Sequence, residues 1–159
     1  MRRVDVSDKT CFLCEIIAGR KPAHRVWSDV EFVALLDHYP MTAGHLLLVP
    51  RVHIDSVFDL PSDLYERLFA RARDLAGPVA RAAGAPRTGI AVEGFGVPHA
   101  HVHLVPVWHG NDLDPCRQAV ANDDELLQAA EHLRGVLVEA GMVRTDGRGA
   151  TPRTRSDKE

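Results

Sequence analysis

The 159-residue chain lacks both a long hydrophobic run and a strong excess of charge of either sign. No stretch approaches the roughly 18 consecutive apolar residues that a membrane-spanning helix needs, so we expect no membrane partner. The formal net charge is -3, so no broad basic surface exists to hold an extended nucleic acid. A small nucleotide fits this composition because it needs only a local anion site.

Cysteine is also scarce, with only Cys11, Cys14 and Cys116 in the whole sequence. The number is odd, and the first ten residues hold no apolar stretch of the kind found in signal peptides. We therefore expect a cytoplasmic protein without a disulfide framework. The Cys11-x-x-Cys14 spacing favours a metal knuckle. A redox pair is an alternative, but no βαβ pattern surrounds the two cysteines to favour it.

Apolar periodicity predicts one α+β domain over residues 11–141, with about five antiparallel strands and two main helices. Residues 1–10 are expected to be flexible. Residues 142–159 contain almost no apolar side chain, so we expect a disordered tail. The strands are predicted at 24–28, 31–37, 45–50, 88–93 and 99–107.

Helical spacing of apolar residues predicts the two main helices. The first has Ser62 as its N-cap and ends at Gly84, with Gly77-Pro78 as a potential kink. The second has Asp123 or Asp124 as its N-cap and runs through Ala140. The apolar faces consist of Leu64, Leu68, Ala72, Leu75 and Val79 in the first helix, and of Leu126, Ala130, Leu133 and Leu137 in the second.

The strongest functional signal is the run His99-Ala100-His101-Val102-His103-Leu104-Val105. On a strand, residues two apart point to the same face and lie about 7 Å apart. The three imidazoles would therefore line one surface, with the intervening apolar residues facing the core. A histidine-rich edge strand, or one arm of a metal site without catalysis, is the alternative to a catalytic site.

This run resembles the signature of the histidine-triad (HIT) superfamily, in which three histidines alternate with apolar residues. Residues 11–19, residues 36–53 and Phe58-Asp59-Leu60 resemble segments of the same family, so the resemblance covers residues 11–107. It implies the HIT-like fold, a purine nucleotide or nucleotide conjugate as ligand, and a homodimer.

The resemblance also implies catalytic roles. The middle histidine, His101, would attack the α-phosphorus of a nucleotide and form a nucleotidyl-histidine that water then hydrolyses. His103 would face the same phosphate and stabilise its developing charge, unless it is merely a hydrogen-bonded histidine of the sheet face. His45 would support the triad by hydrogen bonding, or simply open its strand.

Substrate-binding positions carry over from the family in the same way. Asp37 corresponds to the ribose ligand, since a carboxylate can accept from two adjacent hydroxyls. The alternative is an aspartate that serves only its turn. His38 departs from the aliphatic residue usual in the family. The positions that sandwich the base in the family are here Phe12, Leu13, Ile16, Leu35 and His38.

The loop Gly94 to Pro98 precedes the triad. Gly94 and Gly96 would let backbone N–H groups approach a phosphate closely. The family pattern at this place is Gly-Gln followed by Ser, Thr or Glu, whereas this chain has Phe95 and Gly96. In some branches those polar side chains contact the phosphate or protonate the leaving group. The leaving-group acid of this chain is therefore unassigned.

In zinc-containing members of the superfamily two histidines complete the metal site, and they match His53 and His99. With Cys11 and Cys14 they make a closed tetrahedral set, which implies a structural Zn²⁺ beside the nucleophile. The alternative is two reduced buried cysteines and a surface His53.

These features predict a nucleotide hydrolase or nucleotidyl transferase that acts at the α-phosphate. The first choice of activity is purine nucleoside phosphoramidase, and the second is dinucleoside polyphosphate hydrolase. A zinc-stabilised nucleotide sensor without catalysis is the third, because the polar loop residues are missing. Retention of His101 argues against the sensor, since binding alone needs no nucleophile.

Overall fold

A computed structural model describes residues 11–142, so the predictions for 1–10 and for 143–159 lie outside the described residues. The elements in chain order are α1 (Phe12–Ile17), β1 (Arg25–Ser28), β2 (Phe32–Leu36), β3 (Leu46–Pro50), α2 (Ser62–Ala83), β4 (Arg87–Ala91), β5 (Val102–Val107) and α3 (Asp123–Glu139). Two short 3-10 helices lie at Val57–Asp59 and Pro115–Arg117.

The strands form one five-stranded sheet in the order β1-β2-β3-β5-β4, and every neighbouring pair is antiparallel. This confirms the predicted α+β class and its antiparallel sheet. In the centre of the sheet, Leu47 of β3 lies opposite His103 of β5. His45, two residues before Leu47, is therefore a diagonal neighbour of His103 on the same face of the sheet.

The sheet separates two apolar clusters, and β2 contributes alternate residues to each. Ala34 and Leu36 belong to the larger cluster, which they share with residues of α2 and α3. Val33 and Leu35 face the opposite way, into a smaller cluster that contains α1. Alternation of this kind follows from the two-residue period of a strand.

Helix α2 buries the predicted residues Leu68, Ala72, Leu75 and Val79, while Leu64 is partly buried against the same core. The helix continues through Pro78 and ends at Gly84, whose φ of +69° suits glycine. The predicted N-cap is wrong by one residue. The Tyr65 N–H donates to the carbonyl of Pro61, so Pro61 is the cap and Ser62 is the first helical residue.

Helix α3 begins at Asp123, so the predicted cap at Asp123 or Asp124 is wrong. Asn122 caps the helix by accepting from the Asp124 N–H. The four predicted apolar positions are buried. Met142 is the one residue of the predicted tail that the structure describes, and it packs partly against the larger core. Among residues 11–142, no helix combines the length and apolarity needed to cross a membrane.

Candidate active site and metal centre

The histidine run lies at the start of β5, and the strand begins later than predicted. The prediction placed His99 within the strand, but β5 starts at Val102. The Ala100 N–H donates to the carbonyl of Ile54, and the His99 carbonyl accepts from the ring of His101. Because these backbone groups are bonded outside the β-sheet ladder, regular strand pairing starts only after His101.

The predicted alternation of faces nevertheless holds. Ala100, Val102 and Leu104 are buried in the larger core, and all three triad histidines are at least 94% buried. The imidazoles form two groups rather than one row. The His99 ring lies 5.1 Å from the His53 ring, whereas the His101 ring lies 4.9 Å from that of His103.

The first group is a compact cluster of two thiols and two imidazoles. The Cys11 and Cys14 sulfurs each lie 3.4 Å from Nδ1 of His99. The Cys14 sulfur lies 3.3 Å from Nδ1 of His53, and the two imidazole Nδ1 atoms are 3.2 Å apart. Four ligand atoms suited to a metal thus converge on one point.

These spacings fit a tetrahedral zinc ion. With Zn–S bonds of about 2.3 Å and Zn–N bonds of about 2.0–2.1 Å, the tetrahedron has edges of roughly 3.3 Å between nitrogens and roughly 3.6 Å between nitrogen and sulfur. The hydrogen-bonding pattern of His99 agrees, because its Nε2 lies 2.8 Å from the Pro50 carbonyl and must donate to it. Nδ1 of the neutral ring therefore presents a lone pair to the cluster.

The second group contains the predicted nucleophile. Nδ1 of His101 lies 2.6 Å from the carbonyl oxygen of His99. Since a carbonyl only accepts, Nδ1 carries the proton of the neutral ring. The lone pair is then on Nε2, which is the arrangement that a nucleophilic imidazole needs.

The tautomers of His45 and His103 follow from a chain of hydrogen bonds. The Met41 N–H donates to Nδ1 of His45, so the neutral His45 ring carries its proton on Nε2. That nitrogen lies 2.9 Å from Nδ1 of His103 and donates to it. The proton of neutral His103 is therefore on Nε2. Burial is the main cause that lowers the pKa of both rings, that of His45 to about 4, so the neutral forms dominate near pH 7.

Nε2 of His103 is buried and has no hydrogen-bond partner among the described residues. A buried N–H without an acceptor is destabilising by about 1–3 kcal/mol, so such groups are rare unless a ligand supplies the acceptor. The His103 and His101 rings are adjacent. An acceptor bound beside His101, the predicted nucleophile, would satisfy this donor; a phosphate oxygen is one such acceptor.

Asp37 lies at the edge of the same group. Its Oδ1 accepts from the Tyr39 N–H at 2.9 Å, the turn contact foreseen as an alternative role. Its Oδ2 lies 3.5 Å from Nε2 of His45. The carboxylate thus serves its turn and also faces the histidine chain.

Comparison with known proteins identifies the family that uses such a site. Residues 18–110 match the HIT domain. The chain belongs to the HIT family. HIT proteins are nucleotide hydrolases and transferases, and this chain is a nucleotide-binding enzyme of that class.

Three relatives illustrate the range of HIT proteins that this chain resembles. An uncharacterized HIT-like protein of Saccharolobus solfataricus is 30% identical over 134 residues, covering 81% of this chain and 96% of the relative. A zinc-bound histidine triad protein of Mycobacterium smegmatis is 27% identical with a TM-score of 0.73, covering 84% and 96% of the two chains. The adenylylsulfatase HINT3 of Arabidopsis thaliana is 24% identical, covering 60% of this chain and 51% of the relative.

The positions that correspond to the HIT base pocket lie in different surroundings. Leu13, Ile16 and Leu35 are buried together in the smaller cluster. Phe12 is 47% exposed, and the Lys21 ammonium lies 5.4 Å from the centre of its ring. Of these four residues, only Phe12 is accessible to a ligand in this structure.

His38 lies apart from the other predicted base contacts. Its ring is 6.1 Å from that of His24, which is bonded to Asp123 at the start of α3. Its carbonyl accepts from the Ala121 N–H. The ring thus lies near the amino end of α3, and its contact with a base stays a prediction.

The glycine loop, residues 94–98, is exposed and loosely packed at Phe95 and Gly96. Gly94 has a φ of +80°, which favours glycine, while a Cβ added at Gly96 would have no described atom within 4 Å. Phe95 is 92% exposed. Neither Phe95 nor Gly96 has a side-chain donor, so the donors at these two positions are backbone N–H groups.

Sequence reasoning missed α1 and the groups that hold it and the HIT site in place. Cys11 caps α1, its sulfur accepting from the Cys14 N–H. The Arg25 guanidinium donates to the carbonyls of Ile16 and Ile17, the last two residues of that helix. No motif marks this contact, although an arginine directly before the apolar pair Val26-Trp27 is a signal that could have been noticed.

Proposed function

We propose that this HIT protein hydrolyses nucleotide conjugates at the α-phosphate, with His101 as the nucleophile. The observation that carries the proposal is the 2.6 Å hydrogen bond from Nδ1 of His101 to the His99 carbonyl, which leaves the lone pair on Nε2. That lone pair attacks phosphorus, a P–N bond forms, and the bond to the leaving group breaks. Water then attacks phosphorus and releases the nucleoside monophosphate and free His101.

His103 and Asp37 are proposed to bind the two ends of the same nucleotide. The unpartnered Nε2–H of His103 donates to a non-bridging phosphate oxygen, where negative charge increases in the transition state. Asp37 accepts from the ribose hydroxyls. Phe12, Leu13 and Leu35 contact the base on its apolar faces.

The substrate class proposed first is a purine nucleoside phosphoramidate. The neutral imidazole of His101 can attack the single phosphorus of such a substrate and displace the amine that it carries. The departing amine needs a proton, and residues 95 and 96 hold no side chain to supply it. We therefore expect solvent at the open loop to provide this proton.

A second substrate class is favoured by the same loop. A phosphate or sulfate leaving group departs as a stable anion and needs no acid. The absence of a donor at Phe95 and Gly96 therefore favours anhydrides such as dinucleoside polyphosphates, and a relative is named an adenylylsulfatase. Hydrolysis of a dinucleoside polyphosphate uses the same nucleophile and the same His103 contact.

We also propose that Cys11, Cys14, His53 and His99 hold one structural Zn²⁺. A closed set of four protein ligands leaves no position for water, so the ion contributes stability and holds α1 against the sheet. A homodimer in the cytoplasm completes the proposal. The cytoplasmic location is supported by three free cysteines, Cys11, Cys14 and Cys116.

The test is to measure hydrolysis of an adenosine phosphoramidate and a diadenosine polyphosphate side by side. We expect turnover of at least one by the wild type and by His132→Asn, a control at an exposed histidine of α3. His101→Asn should be inactive on both. Wild-type protein that binds AMP but turns over neither compound would favour the nucleotide sensor.

A further inference from the structure

We propose that Asp37 couples recognition of the sugar to the histidine that faces the phosphate. The coupling passes through His45, whose Nε2–H has two acceptors within reach. Nδ1 of His103 lies 2.9 Å away and Oδ2 of Asp37 lies 3.5 Å away. This inference rests on the proposed function, because it assigns a second role to the proposed ribose ligand.

The two acceptors compete for a single proton. The Met41 N–H occupies Nδ1 of His45, so the neutral ring has only its Nε2–H to donate. The His45 side chain is fully buried, so water cannot relieve the competition. Any attraction of this N–H toward Asp37 weakens its bond to His103, and that bond is what fixes the His103 proton on Nε2.

Sugar hydroxyls would end this competition. The Oδ1 atom of Asp37 is already occupied by the Tyr39 N–H, so an arriving hydroxyl finds its free lone pairs chiefly on Oδ2. A hydroxyl that donates to Oδ2 takes up the acceptor that faces His45. His45 then donates fully to His103, and the outward Nε2–H of His103 is fixed for the phosphate.

Among the charged groups that the structure describes around His45, Asp37 is the one that competes with His103 for the His45 Nε2–H. His101 and His103 are the other titratable groups that act on His45, and both disfavour a positive charge on it. Glu93 acts on His103 from the end of β4. The Asp37 carboxylate lies within reach of the His45 Nε2–H. A sugar hydroxyl that donates to this carboxylate therefore acts directly on the hydrogen bond between His45 and His103.

The test uses ¹⁵N NMR of the histidine side chains in the full-length, zinc-loaded protein. The probes are AMP and 2′,3′-dideoxy-AMP, which differ only in the two sugar hydroxyls. We expect AMP to move Nδ1 of His103 further toward the unprotonated frequency and Nε2 further toward the protonated one. Dideoxy-AMP, whose phosphate still accepts from the His103 Nε2–H, should move both signals less than AMP does.

The Asp37→Ala variant separates coupling from simple binding. Without the carboxylate, AMP and dideoxy-AMP should give the same His103 signals. Identical signals from both probes in the wild type, with both bound, would overturn the coupling and leave the proposed function intact. Both probes are used at concentrations that saturate the site, and failure of AMP to bind at all would overturn the proposed function and the coupling together.

Kinetics give a second readout. With adenosine and dideoxyadenosine substrates, we expect kcat to fall about tenfold when the hydroxyls are removed. A structural or purely binding role for Asp37 would instead raise KM and leave kcat unchanged.

Discussion

Nε2 of His45 lies 2.9 Å from Nδ1 of His103, although 58 residues separate the two histidines in the chain. The pairing of β3 with β5 makes them diagonal neighbours on one face of the sheet. The bond has a direction, because the Met41 N–H fixes the proton of His45 on Nε2. One backbone amide thereby determines which nitrogen of His103 carries its proton.

Removing the outward donor should impair the chemical step. We predict that His103→Leu lowers kcat about a hundredfold, the loss typical of one donor to a developing oxyanion. The KM should change little, since the donor acts mainly in the transition state. Steady-state kinetics with His132→Leu as the matched surface control checks this. A loss confined to KM would show that His103 only binds the ground state.

The buried His45 should make stability depend on pH. Burial lowers its pKa from 6.5 to about 4, so the unfolded chain takes up the proton first as the pH falls. Stability is therefore lost as the pH falls from about 6.5 to about 4, at roughly 1.4 kcal/mol per unit of pKa depression. Urea unfolding should show a smaller loss over this window in His45→Gln than in the wild type or His132→Gln. Equal losses in all three would contradict the assignment.

The metal centre should bind one zinc ion per chain. Elemental analysis is expected to give about one zinc in the wild type and in Cys116→Ser, since Cys116 is exposed and outside the cluster. Cys11→Ser and Cys14→Ser should lose the metal and unfold at lower temperature. Metal-free wild type with unchanged stability in both variants would remove zinc from the account.

Arg25 should stabilise the cysteine-bearing helix. Its guanidinium donates to the Ile16 and Ile17 carbonyls at the end of α1, and Arg25→Met removes this donor from partly buried carbonyls. We predict a loss of about 1–3 kcal/mol in unfolding free energy and weaker zinc retention against a chelator. Arg20→Met is the control, because the Arg20 side chain forms an ion pair with Glu15 at the surface. Equal effects of the two substitutions would exclude the special role of Arg25.

Much of the fold could be predicted because its periodicities are local. The apolar spacing of Leu68, Ala72 and Leu75 predicts α2, and strand alternation predicts the two-sided sheet. Short α1 could not be predicted in this way. Four of its six residues are buried, and a helix of this length is too short to show a clear amphipathic stripe.

Part of the candidate site could also be predicted from the sequence, and part could not. The alternation of His101 and His103 with apolar residues predicts that their rings adjoin, and the structure brings them to 4.9 Å. The start of β5 at Val102 was missed because it depends on backbone bonds from Ala100 to Ile54 and from His101 to His99. Long-range backbone partners of this kind leave no pattern in the sequence.

The central claim, that His101 attacks phosphorus, is tested most directly by trapping the intermediate. The wild type would be mixed with an adenosine phosphoramidate or diadenosine polyphosphate, quenched in alkaline denaturant and digested for mass spectrometry. The account predicts one adenylyl group on the peptide that contains His101, and none in His101→Asn. Turnover by the wild type without any adduct, or an adduct on another residue, would contradict it.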